Sequence, residues 1–403
     1  MTGHVLYVGG ADNNLRIPFI LAMKGRGWRV TAAGSGSPEP FIDAGIDYVP
    51  FHFERFLTPL ADWRAMRSLL SMLRELNPDI AQGYDAKPCL FLPIAAQIAG
   101  VETRTVRTIC GRAWVYSLRS PLALAARPIY RGMHRIAARG TAATVFEIES
   151  DREFFRRHKM AGRRGIVIPA GGGGVDVAGF ERATAASPPP EVLRRELGLG
   201  DAEVVITVTR MTRQKGIPAL LEAAAMVHAV RPQVRFLLVG PRESEGPFAV
   251  PEEMIAAHAP YVVATGGRTD VPALLQLADV FAFPTEYAEG VARVLLEAAL
   301  ARVPIASTSM PGCQEVIEHG VNGLLTPPGN PRMLADATIE LLENRPAAQL
   351  MAARAEEQAR RRFSLDSIAA HHDRLYHELI NERTFPMSPS DDPVSEGEQL
   401  PSA

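Results

Sequence analysis

One pattern constrains this chain more than any other, and it runs twice. Short β-rich runs alternate with stretches of helical spacing. His4–Val8 is an apolar run that stops at Gly9-Gly10, and Asn14–Arg26 follows with helical periodicity. Trp28–Ala33 reads as a strand, Asp62–Leu76 as a helix, Asp79–Ala81 as a strand edge, Pro88–Ala99 as a helix and Thr103–Ile109 as a strand. The alternation restarts at Glu203–Thr209. A helix is expected at Gly216–Val230, strands at Gln233–Val239 and Pro260–Ala264, and a helix at Val271–Leu277. A buried strand at Asp279–Phe283, a helix at Val291–Ala301, a strand at Pro304–Ser307 and a helix at Pro331–Glu343 complete the series. Parallel strands need long crossovers, so strand–helix alternation implies βαβ units and a parallel sheet. The chain therefore reads as α/β, with two doubly wound domains.

Between the two series lies Pro169–Pro190, which contains four consecutive glycines, Gly171–Gly174, and then Ser187-Pro188-Pro189-Pro190. It is the expected interdomain linker, giving a first domain at 1–170, a linker at 171–200 and a second domain at 201–364. Leu365–Glu382 is a last amphipathic helix, with Ile368, Leu375 and Leu379 on one face. The polar, Pro-rich stretch 384–403 is expected to be disordered.

The 403 residues fit two domains of ordinary size. Lys and Arg number 43 against 45 Asp and Glu, a net charge of −2, which argues against a bulk nucleic-acid binder. Cys89, Cys110 and Cys313 are too few and too scattered for a disulfide framework or zinc cluster, and suit a reducing, cytoplasmic setting. The longest apolar stretch, near Cys89–Gly100, is too short and too broken to span a bilayer. Met1–Val8 shows no basic region followed by a long apolar segment, so no signal peptide is expected.

Open α/β sheets bind ligands beyond the carboxyl ends of their strands, so residues just past the strand ends carry the chemistry. Two segments of the second half stand there. In Arg210-Met211-Thr212-Arg213-Gln214-Lys215-Gly216, two cations five residues apart flank a helix start. A guanidinium fork, an ammonium and helix N–H groups together suit a diphosphate. Taken alone, the same residues also fit a solvated loop. In the segment from Glu286 to Glu297, Glu289 sits in a loop and Gly290 allows close backbone approach. Val291, Ala292 and Arg293 open the following helix, and Glu297 lies eight residues beyond Glu289. Carboxylates accept hydrogen bonds from sugar and ribose hydroxyls. A capped helix with an acidic start is the alternative.

Together these segments resemble the family 4 glycosyltransferases, retaining nucleotide-sugar enzymes of GT-B fold. The resemblance runs from about Val204 to Glu343. It takes in Arg210…Lys215-Gly216, Gly240, Gly266–Pro272 with Arg268, the Glu289 and Glu297 pair, Pro311–Ile317 and Gly320–Leu325. Pro169–Phe180, with Val175-Asp176, is similar to the family's interdomain segment. The implied fold is two Rossmann-like domains facing a central cleft, the first completed by the last helix. The implied roles follow. Arg210 and Lys215 bind the donor diphosphate and stabilise the leaving nucleotide. Glu289 faces the donor sugar beside the Gly290–Arg293 amides. Glu297 holds the ribose, and the Arg268 region lies near the base. A UDP-sugar is the expected donor. The resemblance also implies no metal and no separate cofactor, because Arg, Lys and a helix start neutralise the diphosphate. The reaction would run on one face of the sugar, with the leaving phosphate taking the acceptor proton.

On the acceptor side, Gly9-Gly10 is expected to let backbone approach the cleft ligands, and Lys87, in Gly83–Pro88, to contact a phosphate. Many relatives carry a histidine where Cys110 stands. A thiol does not donate as an imidazole does, and a buried strand-end cysteine is the other reading of that position. Thr103–Phe146 holds eight arginines and no carboxylate. Arg131, Arg135 and Arg139 recur every four residues, on one face of a helix expected to begin near Pro128. Leu122, Leu124, Ile129, Tyr130, Met133 and Ile136 supply apolar surface. Basic charge beside apolar surface fits docking on an anionic membrane, at the inner face of the plasma membrane, and a glycan or polyprenyl-diphosphate-linked acceptor. A solvated helix paired to carboxylates elsewhere is the alternative. His371, His372 and His377 lack metal-site spacing and read as surface residues. Two rival functions remain: a sugar-nucleotide epimerase of the same fold, and a non-catalytic GT-B subunit.

Overall fold

The structure, a computed structural model, describes residues 3–53, 58–112, 115–116 and 121–384. The expected disordered tail lies outside them, apart from Thr384. Two all-parallel sheets form the frame. The first has seven strands: β1 (His4–Val8), β2 (Arg29–Gly34), β3 (Asp47–Pro50), β4 (Ile80–Gly83), β5 (Arg104–Ile109), β6 (Ala143–Phe146) and β7 (Gly165–Val167). They lie in the order β3-β2-β1-β4-β5-β6-β7. The second has six: β8 (Glu203–Val208), β9 (Val234–Val239), β10 (Val262–Gly266), β11 (Val280–Phe283), β12 (Ile305–Thr308) and β13 (Leu324–Thr326), in the order β10-β9-β8-β11-β12-β13. Both are doubly wound, as the alternation requires. The central strands β1, β4 and β11 are buried throughout, because helices cover both faces of each sheet.

Several local expectations are corrected. Asp79–Ala81, expected only as a strand edge, opens the full strand β4, which is central, between β1 and β5. Its Gln82 hid the strand by being polar. That side chain is buried, donates to Thr108 Oγ1 at 2.6 Å and accepts from Tyr376 Oη. The stretch 171–200, expected as a linker, contains the helices Val177–Ala185 and Pro190–Glu196. Phe180 and Leu193 bury their side chains in the second domain's core, so this stretch packs as part of that domain. The basic helix runs Pro121–Arg139, with Pro128 inside it rather than at its start. Pro121 serves as the opening residue, where a missing N–H is harmless. The helix expected from Val291 begins at Arg293, with Ala292 in extended conformation as its cap.

The chain crosses between the domains twice, and the crossings lie side by side. Val175 N–H donates to Phe363 O, and Leu365 N–H donates to Val175 O, both at 2.9 Å. The last helix, Leu365–Thr384, then returns to the first domain. Ile368, Ala369, Leu375, Tyr376 and Leu379 pack there with Phe19, Ile20, Met23 and Trp28. His372, expected at the surface, is fully buried in that interface, with Phe19 edge-on at 4.9 Å. His371 and His377 are exposed. No helix among the described residues is long and apolar enough to cross a membrane.

Candidate active site

Strand order reverses between β1 and β4 in the first sheet and between β8 and β11 in the second. The loops beyond those carboxyl ends are where such sheets bind ligands. They carry Gly9, Gly10 and Asp85 on one side, and Arg210, Lys215 and Glu289 on the other.

β8 leads through Arg210 into a single helical turn, Arg213–Lys215, and then into the helix Ile217–Val230. Gly216 makes the joint at φ 71°, and a Cβ there would stand 1.9 Å from Pro284 O. The loops after β8 and β11 therefore touch at a distance only glycine allows. That contact brings Lys215 to Glu289. Nζ lies 2.6 and 2.7 Å from the two carboxylate oxygens, and the lysine is 6% exposed. The rings of Phe283 and Tyr287 stand 5.9 and 5.7 Å from Nζ, giving the ammonium an aromatic wall. Arg210 is more open, and its Nη1 meets Glu245 at 3.0 Å. Glu297 is held by Arg293 one turn earlier on the same helix, at 2.9 Å. Arg268 lies in a carboxylate clamp, bidentate to Asp270 and bonded to Glu196. Gly240 closes β9 and donates its N–H to Gly266 O at 2.8 Å.

The first domain supplies the opposite wall. The loop after β5 pairs with the loop after β11: Gly111 bridges Glu289, and Gly290 N–H donates to Cys110 O at 3.3 Å. Cys110 is exposed at the cleft, so the buried strand-end reading of it is overturned. Beside it stands Glu147, at the carboxyl end of β6, a residue that the sequence did not single out. It is 6% exposed, and its two oxygens accept from Gly172 N–H at 3.0 Å and Val291 N–H at 3.2 Å. A Cβ on Gly290 would fall 1.8 Å from Glu147 Oε2, so that glycine makes room for the carboxylate. Burial pushes the Glu147 carboxyl up to about 7, against the opposing pull of the Gly172 amide and the Cys110 thiol. The available signal was an acidic residue directly after the strand-like run Ala143–Phe146. A cavity of about 300 Å³ between the domains is lined by Arg16, Cys110, Glu147, Glu289, Val291 and Arg293.

Of the expected helix-start amides, Val291 N–H is thus taken by Glu147. Other acceptor-side expectations also find partners within the protein. Gly9 N–H donates to Ala33 O, and Gly10 N–H to Asp85 Oδ2 at 2.8 Å. Lys87 pairs with Asp62 and is nearly buried rather than open to a phosphate. Arg131 Nε bonds Tyr116 Oη at 2.6 Å, and Arg135 Nε bonds His158 O at 2.9 Å. Among the described residues no group of three or more His, Cys, Asp or Glu comes together as a metal site.

Comparison with known proteins bears on this arrangement. Residues 202–344 match the model of the family described as glycosyl transferases group 1. The N,N'-diacetylbacillosaminyl-diphospho-undecaprenol alpha-1,3-N-acetylgalactosaminyltransferase of Campylobacter jejuni is 25% identical over 381 residues, covering 94% of this chain and 98% of that one. A GDP-mannose-dependent alpha-(1-6)-phosphatidylinositol monomannoside mannosyltransferase of Mycobacterium tuberculosis is 30% identical over 208 residues. That match covers 49% of this chain, which spans about half (52%) of that protein's length. Among solved structures, Anabaena Alr3699/HepE in complex with UDP superposes with a TM-score of 0.75 at 22% identity, over 94% of this chain and all of that one. The matched domain covers the lysine–glutamate pair, the Gly290–Arg293 loop and the Glu289 and Glu297 carboxylates, and the fold around them is GT-B; residues 202–344 of the chain are a glycosyl transferases group 1 domain.

Proposed function

We propose that this protein transfers a sugar, with retention, from a nucleotide diphosphate donor to a lipid-linked glycan acceptor at a membrane surface. The observation that carries this reading is the Lys215–Glu289 pair, set at the switch point of the second sheet and facing Cys110 and Glu147 across the cleft. A diphosphate entering there exchanges the carboxylate partners of Lys215 and Arg210 for phosphate oxygens. Glu289 is then released to accept from sugar hydroxyls. The cations stabilise charge that develops on the leaving nucleotide, which accelerates the step because it grows in the transition state. A UDP-sugar is the donor we favour, supported by the UDP complex of the Anabaena structure. The lipid-linked acceptor is supported by the undecaprenol diphosphate in the name of the Campylobacter enzyme.

Arg210→Ala and Lys215→Ala are expected to lower kcat by about 100-fold or more, as the loss of one charge contact in the transition state does. Near wild-type transfer by either variant would refute the reading. Product analysis without acceptor separates transfer from epimerisation: a changed sugar on intact nucleotide would identify an epimerase. A purified protein that neither hydrolyses nor transfers from any UDP-, GDP- or ADP-sugar would be the non-catalytic subunit.

A further inference from the structure

A second cavity, of about 190 Å³, adjoins the first. Cys110 and Asp85 line both, so they mark the boundary between them. We propose that this second cavity is the acceptor's oxyanion subsite, where the Nε2–H of His134 donates to a phosphate oxygen under the positive potential of the buried Arg107. The inference rests on the lipid-phosphate acceptor proposed above and gives that acceptor a place.

The argument starts from a charge without a counter-charge. Arg107, on β5, is fully buried. Its hydrogen bonds go to neutral groups: Thr144 Oγ1 at 2.9 Å, Met160 O at 2.6 Å and His134 Nδ1 at 3.4 Å. No carboxylate pairs with it among the described residues. Burial lowers its pKa only to about 10, so it remains a cation at neutral pH. An unpaired buried ion is costly, and an anion nearby offsets that cost.

The next link is a tautomer. A guanidinium only donates, so its contact with Nδ1 requires a lone pair there, and the proton of the neutral ring sits on Nε2. Burial first, and Arg107 second, depress the imidazole to about 3, so the ring stays neutral. His134 is 1% exposed, lines this cavity, and its Nε2 has no hydrogen-bond partner. A buried N–H donor without an acceptor calls for a ligand acceptor. Helix Ala86–Ala99 opens on the same cavity at Ala86, with no side chain capping its start, and adds the positive end of its dipole. The cavity's own carboxylate, Asp85, is engaged by Gly10 N–H and lies 3.9 Å from Arg16. An acceptor phosphate here would lie next to the compartment that the donor sugar enters.

The test uses the whole protein, ¹⁵N-labelled on histidine, with UDP saturating the donor site. The Nε2–H resonance of His134, assigned by its loss in His134→Phe, is followed during titration with inorganic diphosphate and with farnesyl diphosphate. A shift with both supports a phosphate subsite, and a shift with farnesyl diphosphate alone supports one that also needs the lipid. No shift with either, or a His134 protonated on Nδ1, overturns the proposal. In kinetics, His134→Phe is expected to raise the acceptor KM about tenfold, the worth of one hydrogen bond to an anion. His134→Gln, whose amide N–H donates from a similar place, is expected to restore it. The urea midpoint, followed by fluorescence of the first-domain Trp28, reports whether the variants fold. An unchanged acceptor KM in a folded His134→Phe overturns this subsite while leaving the transferase reading intact. Loss of transfer in the Lys215 variant bears on that reading alone.

Discussion

Glu147 shows how much one side chain does in the cleft. It grows from the first domain and ties two backbone amides, one at the domain crossing and one in the donor loop. Its proton affinity links that tie to pH. In the folded protein the carboxyl titrates at about 7, against 4.5 for a free side chain, because burial disfavours its charge. Between those values the native state holds a proton that the unfolded chain has released, so stability falls as pH rises from about 4.5 to 7, and levels off above. A shift of that size corresponds to roughly 3 kcal/mol. Glu147→Gln is expected to flatten the pH dependence of the urea midpoint between pH 5 and pH 8. Profiles that run parallel in the two proteins would show that the carboxyl titrates in its ordinary range.

The basic helix Pro121–Arg139 has two sides with different work. Inward, Ala123, His134 and Ala137 are buried, and His134 reaches the acceptor-side cavity. Outward, Leu124, Ile129 and Ile136 are 49%, 62% and 49% exposed, beside Arg135 and Arg139. Exposed aliphatic side chains flanked by arginines form a surface that anionic lipid headgroups and acyl chains would both cover. Replacing Arg131, Arg135 and Arg139 with Gln is expected to weaken co-sedimentation with phosphatidylserine vesicles tenfold or more, at about 1 kcal/mol per basic residue near the surface. Ile129→Ser is expected to weaken it further without altering net charge. Binding unaffected by both changes would leave this face a solvated one.

At the scale of the whole molecule, the first domain is closed by a segment whose hydrogen-bond partners lie 294 and 345 residues away along the chain. Trp28 Nε1 donates to Asp373 Oδ1 at 2.7 Å, and Tyr376 donates to Gln82 on β4. Ile368 and Leu379 fill the space beside Phe19 and Met23. Ile368→Ala is expected to cost about 2–5 kcal/mol of stability, as buried aliphatic truncations do. Because the second domain has its own core, UDP binding should persist in that variant below its melting temperature. A urea midpoint equal to wild type would show that the last helix is not needed to complete the first core. Both crossings pass side by side at Val175 and Leu365, so motion of one domain against the other would turn about that single point.

The sequence by itself determined the class of architecture and where the donor-side candidate residues stand along it. Parallel βαβ units, the position of Arg210 and Lys215 past a strand, and the spacing of Glu289 and Glu297 are properties of neighbouring residues, and local periodicity reports them. It could not determine which distant groups meet. β4 read as no more than a strand edge because the partners of Gln82 lie on β5 and on the last helix. The stretch at 171–200 passed for a linker because the core that receives Phe180 and Leu193 begins beyond it. His372 looked like a surface residue until Phe19 packed on it. Glu147 offers only its place after a strand run, Arg107 only its membership of an arginine-rich stretch, and His134 no local pattern. A carboxylate, a guanidinium and an imidazole become informative only when burial removes water and leaves each to find a partner, and the tertiary structure alone decides who that partner is.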